Sequence, residues 1–283
     1  MRNKIKRSKL PNFIAVGPQR TATTWIYECI RQHPDVCMPD GVKETMFFDK
    51  HYLNGLPWYQ AHFRHCSPNK VIGEIAPTYF HSEEARERIH SIIPDCKIIC
   101  TLREPVSRIF SLYLHMLRYG FTKLPFERAL KDCPVLLDSS RYFFHVTRWQ
   151  EIFGANNVLV LIQDDLKANP QQFIDQFCRF IGVSELKLQE LQYAPIGREI
   201  LSRSYYLARA GRLMAGWLRA RRLHRVVNFG TKIGLRWLCL EGGKGVPKLS
   251  PEVEARLRIY FEPEIERLEV LLGRDLSQWK NSR

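Results

Sequence analysis

The chain has 283 residues, 45% of them hydrophobic and 12% aromatic, a composition that predicts a globular protein with a full core and excludes a disordered chain. Its formal net charge is +14, from 43 Lys and Arg against 29 Asp and Glu. Such an excess indicates an anionic partner, and it does not choose among a nucleotide, a polyanionic sugar, a membrane surface and a nucleic acid.

The cysteines and the hydropathy of the chain bear on its location. The eight cysteines form no C-x-x-C pair, so neither a zinc site nor a redox dithiol is indicated. A chain this long does not need disulfides, and we expect free, mostly buried thiols in a reducing, cytoplasmic location. No segment approaches the roughly 20 apolar residues of a spanning helix, and the apolar run after the basic tail at residues 1–11 is too short for a signal peptide.

The first predicted element is a buried strand over Phe13–Val16 that ends at Gly17, followed by a turn and a helix that includes Trp25 and Ile26. A strand, a tight turn and a helix start place free backbone N–H groups around one point, at the positive end of the helix dipole. An ordinary structural corner would look the same in isolation. The stretch nevertheless predicts an anion site, most often one for phosphate.

This turn can be aligned with the nucleotide P-loop pattern G-x-x-x-x-G-K-[ST]. Gly17 takes the first position and Thr24 the last, but Ala22 replaces the second glycine and Thr23 replaces the lysine. The cation of the loop is Arg20 instead. A loop without the lysine is a poor cradle for a β,γ-phosphate pair with magnesium, whereas its guanidinium suits a smaller anionic group.

Three further strands are predicted at residues 71–75, 97–102 and 158–162, separated by helices. Ser82 and the Asn169-Pro170 pair carry helix-start signals. The alternation of strands and helices predicts an α/β fold, with a P-loop-like central parallel sheet flanked by helices on both faces. No repeat or linker is evident, so one domain over residues 1–283 is expected.

Two more features accompany the loop. The apolar strand at 97–102 ends in Arg103, where an NTPase would place an acidic residue for magnesium, and a cation there suits a second phosphate. Glu44 is a carboxylate in a predicted loop close to aromatic residues. Arg108 and Glu104, which follow the strand, are expected on a helix surface or in ion pairs.

Together these features resemble a sulfotransferase that uses 3′-phosphoadenosine 5′-phosphosulfate (PAPS). Gln19-Arg-Thr-Ala-Thr-Thr-Trp25 resembles the 5′-phosphosulfate loop P-K-S-G-T-T-W, and Arg103 to Ser111 resembles the 3′-phosphate motif. The stretches 43–52, 55–59 and 74–80 are similar to the heparan-sulfate and bacterial carbohydrate branch, and 243–247 is similar to the loop of that branch around the nucleotide.

The resemblance assigns roles to particular residues. Glu44 would be the catalytic base, with Arg20 offsetting charge on the leaving phosphate. The nucleotide would be held by the residues Arg20, Thr21, Ala22, Thr23, Thr24, Arg103, Ser111, Lys244 and Gly245. No metal is implied. The acceptor would be a hydroxyl or an amine, of a carbohydrate, a lipid or a small molecule, and no nucleic acid is expected as partner.

The chain departs from the family pattern at three positions. In the first loop, Arg20 replaces a lysine and Ala22 replaces a glycine. In the heparan-sulfate branch a lysine often follows the glutamate that matches Glu74, and here that position is Ile75. His51 is the alternative base. The rival enzyme class is a P-loop kinase or NTPase, for which Asp164 and Asp165 after a strand would hold magnesium.

The segment 201–240 has a distinct composition, with nine Lys and Arg and no acidic residue. Apolar residues, Leu213, Met214, Trp217 and Leu218 among them, are interleaved with the cations at helical spacing. We expect a basic amphipathic helix that borders the acceptor cleft or contacts a membrane surface. The alternatives are that the apolar face packs on the sheet, or that the protein is a non-enzymatic module binding anionic surfaces.

Overall fold

The chain divides into two compact units, each built from two separate segments. The sheet unit comprises Met1–Arg103 and Phe144–Pro195, and the helical unit comprises Glu104–Phe143 and Ile196–Arg283. The single domain predicted over residues 1–283 stays a prediction. The computed structural model describes the residues 9–191, 202, 204–235, 240 and 245–280.

The centre of the sheet unit is a five-stranded sheet in which each pair of neighbours is parallel, with the order β2-β3-β1-β4-β5. This confirms the predicted parallel sheet and the four predicted strands, while β2 is an additional strand of only two residues. The strands are β1 Phe13–Gly17, β2 Val36–Cys37, β3 Val71–Ile75, β4 Lys97–Leu102 and β5 Val158–Ile162.

The register of the sheet brings the ends of three strands together. β1 lies between β3 and β4, and its residue Ala15 pairs with Ile75 on one side and Ile99 on the other. Because the three strands are parallel, the loops that follow them leave from the same edge. The turn after β1, the residues after Ile75 and Arg103 after β4 therefore belong to one edge of the sheet.

Helices cover the sheet, as predicted. Side chains of both faces are buried: Phe13 and Ala15 point to one face, Ile14 and Val16 to the other, and none of the four is exposed. The described helices are α1 Thr23–Ile30, α2 Leu56–Gln60, α3 Glu83–Ile92, α4 Pro105–Arg118, α5 Phe126–Asp132, α6 Val135–Asp138, α7 Tyr142–Phe153, α8 Gln163–Ala168, α9 Pro170–Ile181, α10 Tyr205–Ala220, α11 His224–Lys232 and α12 Pro251–Leu272.

The predicted helix starts are confirmed by their caps. The Ser82 hydroxyl accepts from the backbone N–H of Ala85 at 3.1 Å, and the Asn169 side chain accepts from that of Gln172 at 3.0 Å. Both bonds satisfy N–H groups that have no acceptor within the helix. α12 runs past Pro263 without ending.

In the helical unit, the expectation that Arg108 lies on a helix surface is wrong. Its side chain is fully buried, and it donates to Ser140 Oγ at 2.6 Å and to the Leu136 carbonyl at 2.8 Å. A buried guanidinium needs such acceptors, because its desolvation is otherwise costly. Glu104 is an ion-pair residue as expected, 3.6 Å from Arg258.

The prediction of free cysteines is wrong for one pair, since Cys37 of β2 and Cys66 form a disulfide that closes across 29 residues. The two Cα atoms are 5.7 Å apart, a separation that sequence spacing alone did not show. Disulfides persist mainly in oxidising compartments, so this bond counts against the predicted cytoplasmic location, which stays a prediction. Within the described residues, no helix is both long and apolar enough to cross a membrane.

Candidate active site

The turn between β1 and α1 depends on a glycine at Gly17. Its φ is +90°, and a Cβ there would lie 2.6 Å from Cβ of Pro77, which follows β3. A side chain at this position would therefore collide with its neighbour as well as strain the backbone. The glycine lets the β1 turn and the residues after β3 approach each other at the edge of the sheet.

Ala22, at the position of the missing P-loop glycine, adopts the left-handed conformation with φ 69° and ψ 14°. An alanine in this region costs roughly 1–2 kcal/mol relative to its usual backbone conformations. Its side chain cannot cap α1, so the first-turn N–H groups of the helix receive no side-chain cap from it. Those groups, with the helix dipole behind them, can bind an anion.

The Thr21 side chain makes hydrogen bonds within the protein. It is fully buried, and its hydroxyl donates to the Pro18 carbonyl at 2.6 Å. Because the Thr21 hydroxyl has only that one proton, its oxygen accepts a hydrogen bond from the hydroxyl of Thr101 on β4, also at 2.6 Å. Thr21 can contribute to the predicted anion site through its backbone, while its side chain joins the turn to the neighbouring strand.

The two predicted cations, Arg20 and Arg103, belong to segments that meet here. The Arg103 guanidinium donates from NH1 to the Arg20 carbonyl oxygen at 3.4 Å. Arg20 has a positive φ of 72°, a left-handed conformation that is uncommon for residues other than glycine. Arg20 and Arg103 are both partly exposed residues.

The predicted base, Glu44, is tied to the start of α1 through its neighbour Lys43. Lys43 Nζ lies 3.1 Å from Glu44 Oε1, 3.4 Å from Thr23 Oγ1 and 3.3 Å from Thr24 Oγ1. The lysine and glutamate side chains are each about one fifth exposed, so both can meet a ligand. The structure thus places a carboxylate, an ammonium and two hydroxyls beside the N-terminus of α1.

A buried carboxyl group, Glu74 on β3, holds the segment that carries Glu44. The backbone N–H of Thr45 donates to Glu74 at 2.9 Å and its hydroxyl at 2.6 Å. The hydroxyls of Tyr59 and Tyr79 donate to the same carboxyl group at 2.7 and 3.3 Å. Burial raises the pKa of Glu74 from 4.5 to about 7, against the lowering effect of these hydrogen bonds.

His33 and the alternative base His51 lie in different surroundings. His33 is buried and held at both ring nitrogens: the backbone N–H of Asp35 donates to Nδ1 at 3.0 Å, so Nε2 donates to the Ser184 carbonyl at 2.9 Å. It is therefore structural. Burial lowers the pKa of His51, which ends the short π-helix Phe47–His51, and its neutral form could accept a proton.

Two predicted site residues belong to the helical unit, and a third is not among the described residues. Ser111 is a buried residue of α4 in the helical unit, and Gly245, also of the helical unit, is exposed with φ 71°. Lys244 is outside the described residues. The assigned roles of these three residues in nucleotide binding stay predictions.

The topology argues against Asp164 and Asp165 as magnesium ligands of a P-loop NTPase. They lie in the first turn of α8 after β5, an edge strand, whereas the strands beside β1 are β3 and β4, and β4 leads into Arg103. Asp164 is paired with Lys167 at 2.8 Å. The carboxylates thus follow a strand that does not neighbour β1.

One cluster of the described residues has metal-ligand chemistry. Cys37, His65 and Cys66 have ligand atoms within 4.8 Å of one another. The two sulfurs are joined to each other, and a metal would need them as thiolates. Their spacing in the sequence does not indicate this cluster, because Cys37 is remote from the other two in the chain.

Comparison with known proteins identifies the family. Residues 10–194, well over half of the chain, match the sulfotransferase domain family, and the chain belongs to that family. It is similar to the bifunctional heparan sulfate N-deacetylase/N-sulfotransferase 4 of Mus musculus, with 30% identity over 198 residues, and to the corresponding enzyme 3 of Homo sapiens, with 32% identity over 201 residues. Each alignment covers 62% of this chain and 22% of the relative.

Two solved structures share the fold. A sulfotransferase from Alicyclobacillus acidocaldarius superposes with a TM-score of 0.69 at 23% identity, covering 96% of this chain and 99% of that one. The sulfotransferase domain from the curacin biosynthetic pathway superposes with a TM-score of 0.50 at 15% identity, covering 94% and 99%. At these identities the likeness concerns the fold alone.

Three residues at the site were missed by the sequence analysis: Lys43, Glu74 and Thr101. Lys43 directly precedes Glu44, so its proximity to the carboxylate could have been anticipated. The contacts of Lys43 with α1, and those of Glu74 and Thr101, depend on which strands are neighbours in the sheet.

Proposed function

We propose that this chain transfers a sulfuryl group from PAPS to a hydroxyl or amine of a carbohydrate acceptor. The observation that carries the proposal is the position of Glu44, whose carboxylate is joined through Lys43 to Thr23 and Thr24 at the N-terminus of α1. A proton acceptor thus lies beside an anion-binding helix end. Sulfuryl transfer requires this pairing.

The residues present fit the donor. The β1–α1 loop offers N–H groups and Arg20 for a phosphate with its attached sulfuryl group, and Arg103 offers a second cation for a 3′-phosphate. Bound PAPS supplies an activated sulfur–oxygen bond. The site pairs basic groups with a base and uses no acidic residue of β4 for magnesium.

Glu44 takes the proton of the acceptor as its oxygen or nitrogen forms a bond to sulfur. The sulfur–oxygen bond to the 5′-phosphate breaks, and its electron pair stays with that phosphate. Arg20 and the first-turn N–H groups of α1 offset the charge that develops there. As a guanidinium, Arg20 acts through charge and hydrogen bonding.

The carbohydrate acceptor is inferred from the relatives. The two cited relatives are named as heparan sulfate N-deacetylase/N-sulfotransferases, and this chain covers 22% of the length of each. An amine acceptor of the same class is therefore the first candidate. Ile75 has an apolar, fully buried side chain, so this position offers no cation to an anionic sugar.

The test is transfer from 35S-labelled PAPS to a panel of N-desulfated heparan oligosaccharides, neutral oligosaccharides and glycolipids. Label in an oligosaccharide or glycolipid supports the function, and loss of labelling after chemical N-acetylation of the oligosaccharide identifies the amine. Binding of ATP with magnesium in preference to 3′-phosphoadenosine 5′-phosphate (PAP) would instead support a kinase.

We also propose that α10 and α11 contact an anionic membrane surface. Leu213, Met214 and Trp217 are 54–63% exposed on α10, and Arg219 of α10 and Arg225 of α11 are also exposed. Exposed apolar side chains rule out, for these three residues, the alternative in which they pack on the sheet. The arrangement is that of an interfacial helix pair. Cosedimentation with anionic but not zwitterionic vesicles is the expected result.

A further inference from the structure

Lys43 is the residue whose position the assigned roles do not use. It precedes the base, its side chain is about one fifth exposed, and its ammonium contacts three oxygens: Glu44 Oε1, Thr23 Oγ1 and Thr24 Oγ1. An ammonium has three N–H donors, so these contacts account for all of them. Two of the three acceptors are neutral hydroxyls on the first turn of α1.

This ammonium lies beside a loop position at which the P-loop pattern has a lysine and this chain has none. In the P-loop pattern the residue at position 23 is a lysine that reaches the phosphates, and here it is Thr23. Lys43 Nζ lies 3.4 Å from the Thr23 hydroxyl, so a lysine from a different segment brings its charge to the start of the same helix. Ile75 on β3 is fully buried and cannot supply one.

The hydroxyl contacts are weak enough to be exchanged. Distances of 3.3 and 3.4 Å are long for N–H···O bonds, which are commonest near 2.9–3.0 Å. An anionic oxygen would accept a shorter, charge-assisted bond from the same ammonium. A ligand oxygen at the N-terminus of α1 therefore competes favourably with the two hydroxyls for Lys43.

We propose that Lys43 is a further catalytic residue, whose ammonium binds the sulfuryl oxygens of the donor during transfer. The proposal rests on the proposed function. The acceptor atom forms a bond to sulfur, the sulfur–oxygen bond to the 5′-phosphate breaks with its electron pair on the phosphate, and the acceptor proton goes to Glu44. Lys43 acts through charge and hydrogen bonds, and it holds the sulfuryl group as that group moves to the acceptor atom.

The test compares two ligands that differ by the sulfuryl group alone. Binding of PAPS and of PAP is measured by calorimetry, without acceptor, for the wild type, Lys43→Met, Lys43→Arg and Lys50→Met. Lys50 is the matched control, because it is an exposed lysine of the same segment that contacts Met46 Sδ at 3.7 Å. Melting temperatures confirm that each variant is folded.

Lys43→Met is expected to weaken PAPS binding at least about tenfold and to change PAP binding less than about twofold, since only a charge-assisted bond to the sulfuryl group is lost. Lys43→Arg should restore much of the loss, and Lys50→Met should bind both ligands as the wild type does. Equal weakening of PAPS and PAP, or no weakening of either, overturns the proposal.

An indirect effect could also weaken PAPS binding in Lys43→Met and must be distinguished from the loss of a direct contact. Without Lys43, the Glu44 carboxylate could repel the sulfuryl group through space. The double variant Lys43→Met/Glu44→Gln removes that charge: PAPS binding that stays weak supports direct contact, and PAPS binding that recovers overturns it. If the wild type binds neither nucleotide, the proposed function falls as well, whereas wild-type binding with an unaffected Lys43→Met variant removes this proposal only.

Discussion

The segment around Lys43 and Glu44 and the helices α10 and α11 are both rich in charge, but they hold it differently. Lys43 is bound to a carboxylate and two hydroxyls, over a scaffold fixed by the buried Glu74. The arginines of 204–235 have no acidic residue in their own segment, and Arg221 lies over the ring of Trp217 at 3.7 Å.

The difference suggests two uses of cationic charge in one chain. Charge held at fixed distances by several partners can act on one chemical group at one position. Charge spread over exposed helices with apolar side chains between can attract an extended anionic surface. Substitutions in the first region should therefore change chemistry or folding, and those in the second should change association and its salt dependence.

The largest effect is expected for Glu44→Gln, which removes the proposed base and preserves the size of its side chain. Turnover should fall by roughly 10²–10⁴-fold, the usual contribution of a positioned general base, while PAP binding is unchanged. Single-turnover transfer from 35S-PAPS measures it. Near-normal turnover would exclude Glu44, and His51 would be the next candidate.

Removal of the disulfide is expected to lower the stability of the segment that carries Glu44 and its surroundings. Cys37→Ser removes a link across 29 residues, and the chain-entropy relation gives a loss of about 3–4 kcal/mol in the free energy of unfolding. Urea titration with and without dithiothreitol measures it. Cys133→Ser is the control, as this cysteine is free, and wild-type stability unaffected by reduction would contradict the assignment.

Glu74 predicts a pH dependence of stability with a defined sign. Its folded-state pKa of about 7 is above the ordinary 4.5, so its contribution is fully present below about pH 4.5 and is lost as the pH rises through 7. The loss is on the order of 3 kcal/mol. Glu74→Gln cannot titrate, and the wild-type unfolding free energy should fall relative to that of the variant across this range. A difference independent of pH would contradict the shift.

The charges of the exposed helices should have the smallest effect. Removing Arg219 and Arg225 as Gln variants should cost about 1 kcal/mol each in binding to anionic vesicles, roughly 30-fold together. Sulfuryl transfer to a soluble acceptor should be unaffected. Arg128→Gln with Arg256→Gln is the matched control, since these exposed arginines pair with Asp132 and Glu127. Equal losses in both pairs would show that only net charge matters.

The sequence predicted those features that depend on local pattern. Four apolar runs became the strands β1, β3, β4 and β5, and the caps at Ser82 and Asn169 started helices where expected. The turn after β1 was located because Gly17 and Thr24 fit the P-loop pattern, against which the departures at Ala22 and Thr23 could be identified.

What the sequence did not predict depends on contacts between distant segments. Examples are the disulfide of Cys37 and Cys66, the four hydrogen bonds to Glu74, and the buried contact of Arg108 with Ser140. Each of these links joins residues that are far apart in the chain or on different elements. β2 was missed because two residues carry no detectable period. The order of the strands decides which of these pairs meet, and no local pattern contains it.

The central claim is that the β1–α1 turn and Arg103 bind an adenosine carrying both 3′- and 5′-phosphates. The most direct measurement is calorimetric binding of PAP and of adenosine 5′-phosphate to the wild type, to Arg103→Ala and to the control Arg31→Ala, whose arginine pairs with Glu28 at 2.7 Å. The wild type and the control should prefer PAP by at least about tenfold, and Arg103→Ala should lose that preference. Equal affinity of the wild type for the two nucleotides, or an unchanged preference in Arg103→Ala, would contradict the account.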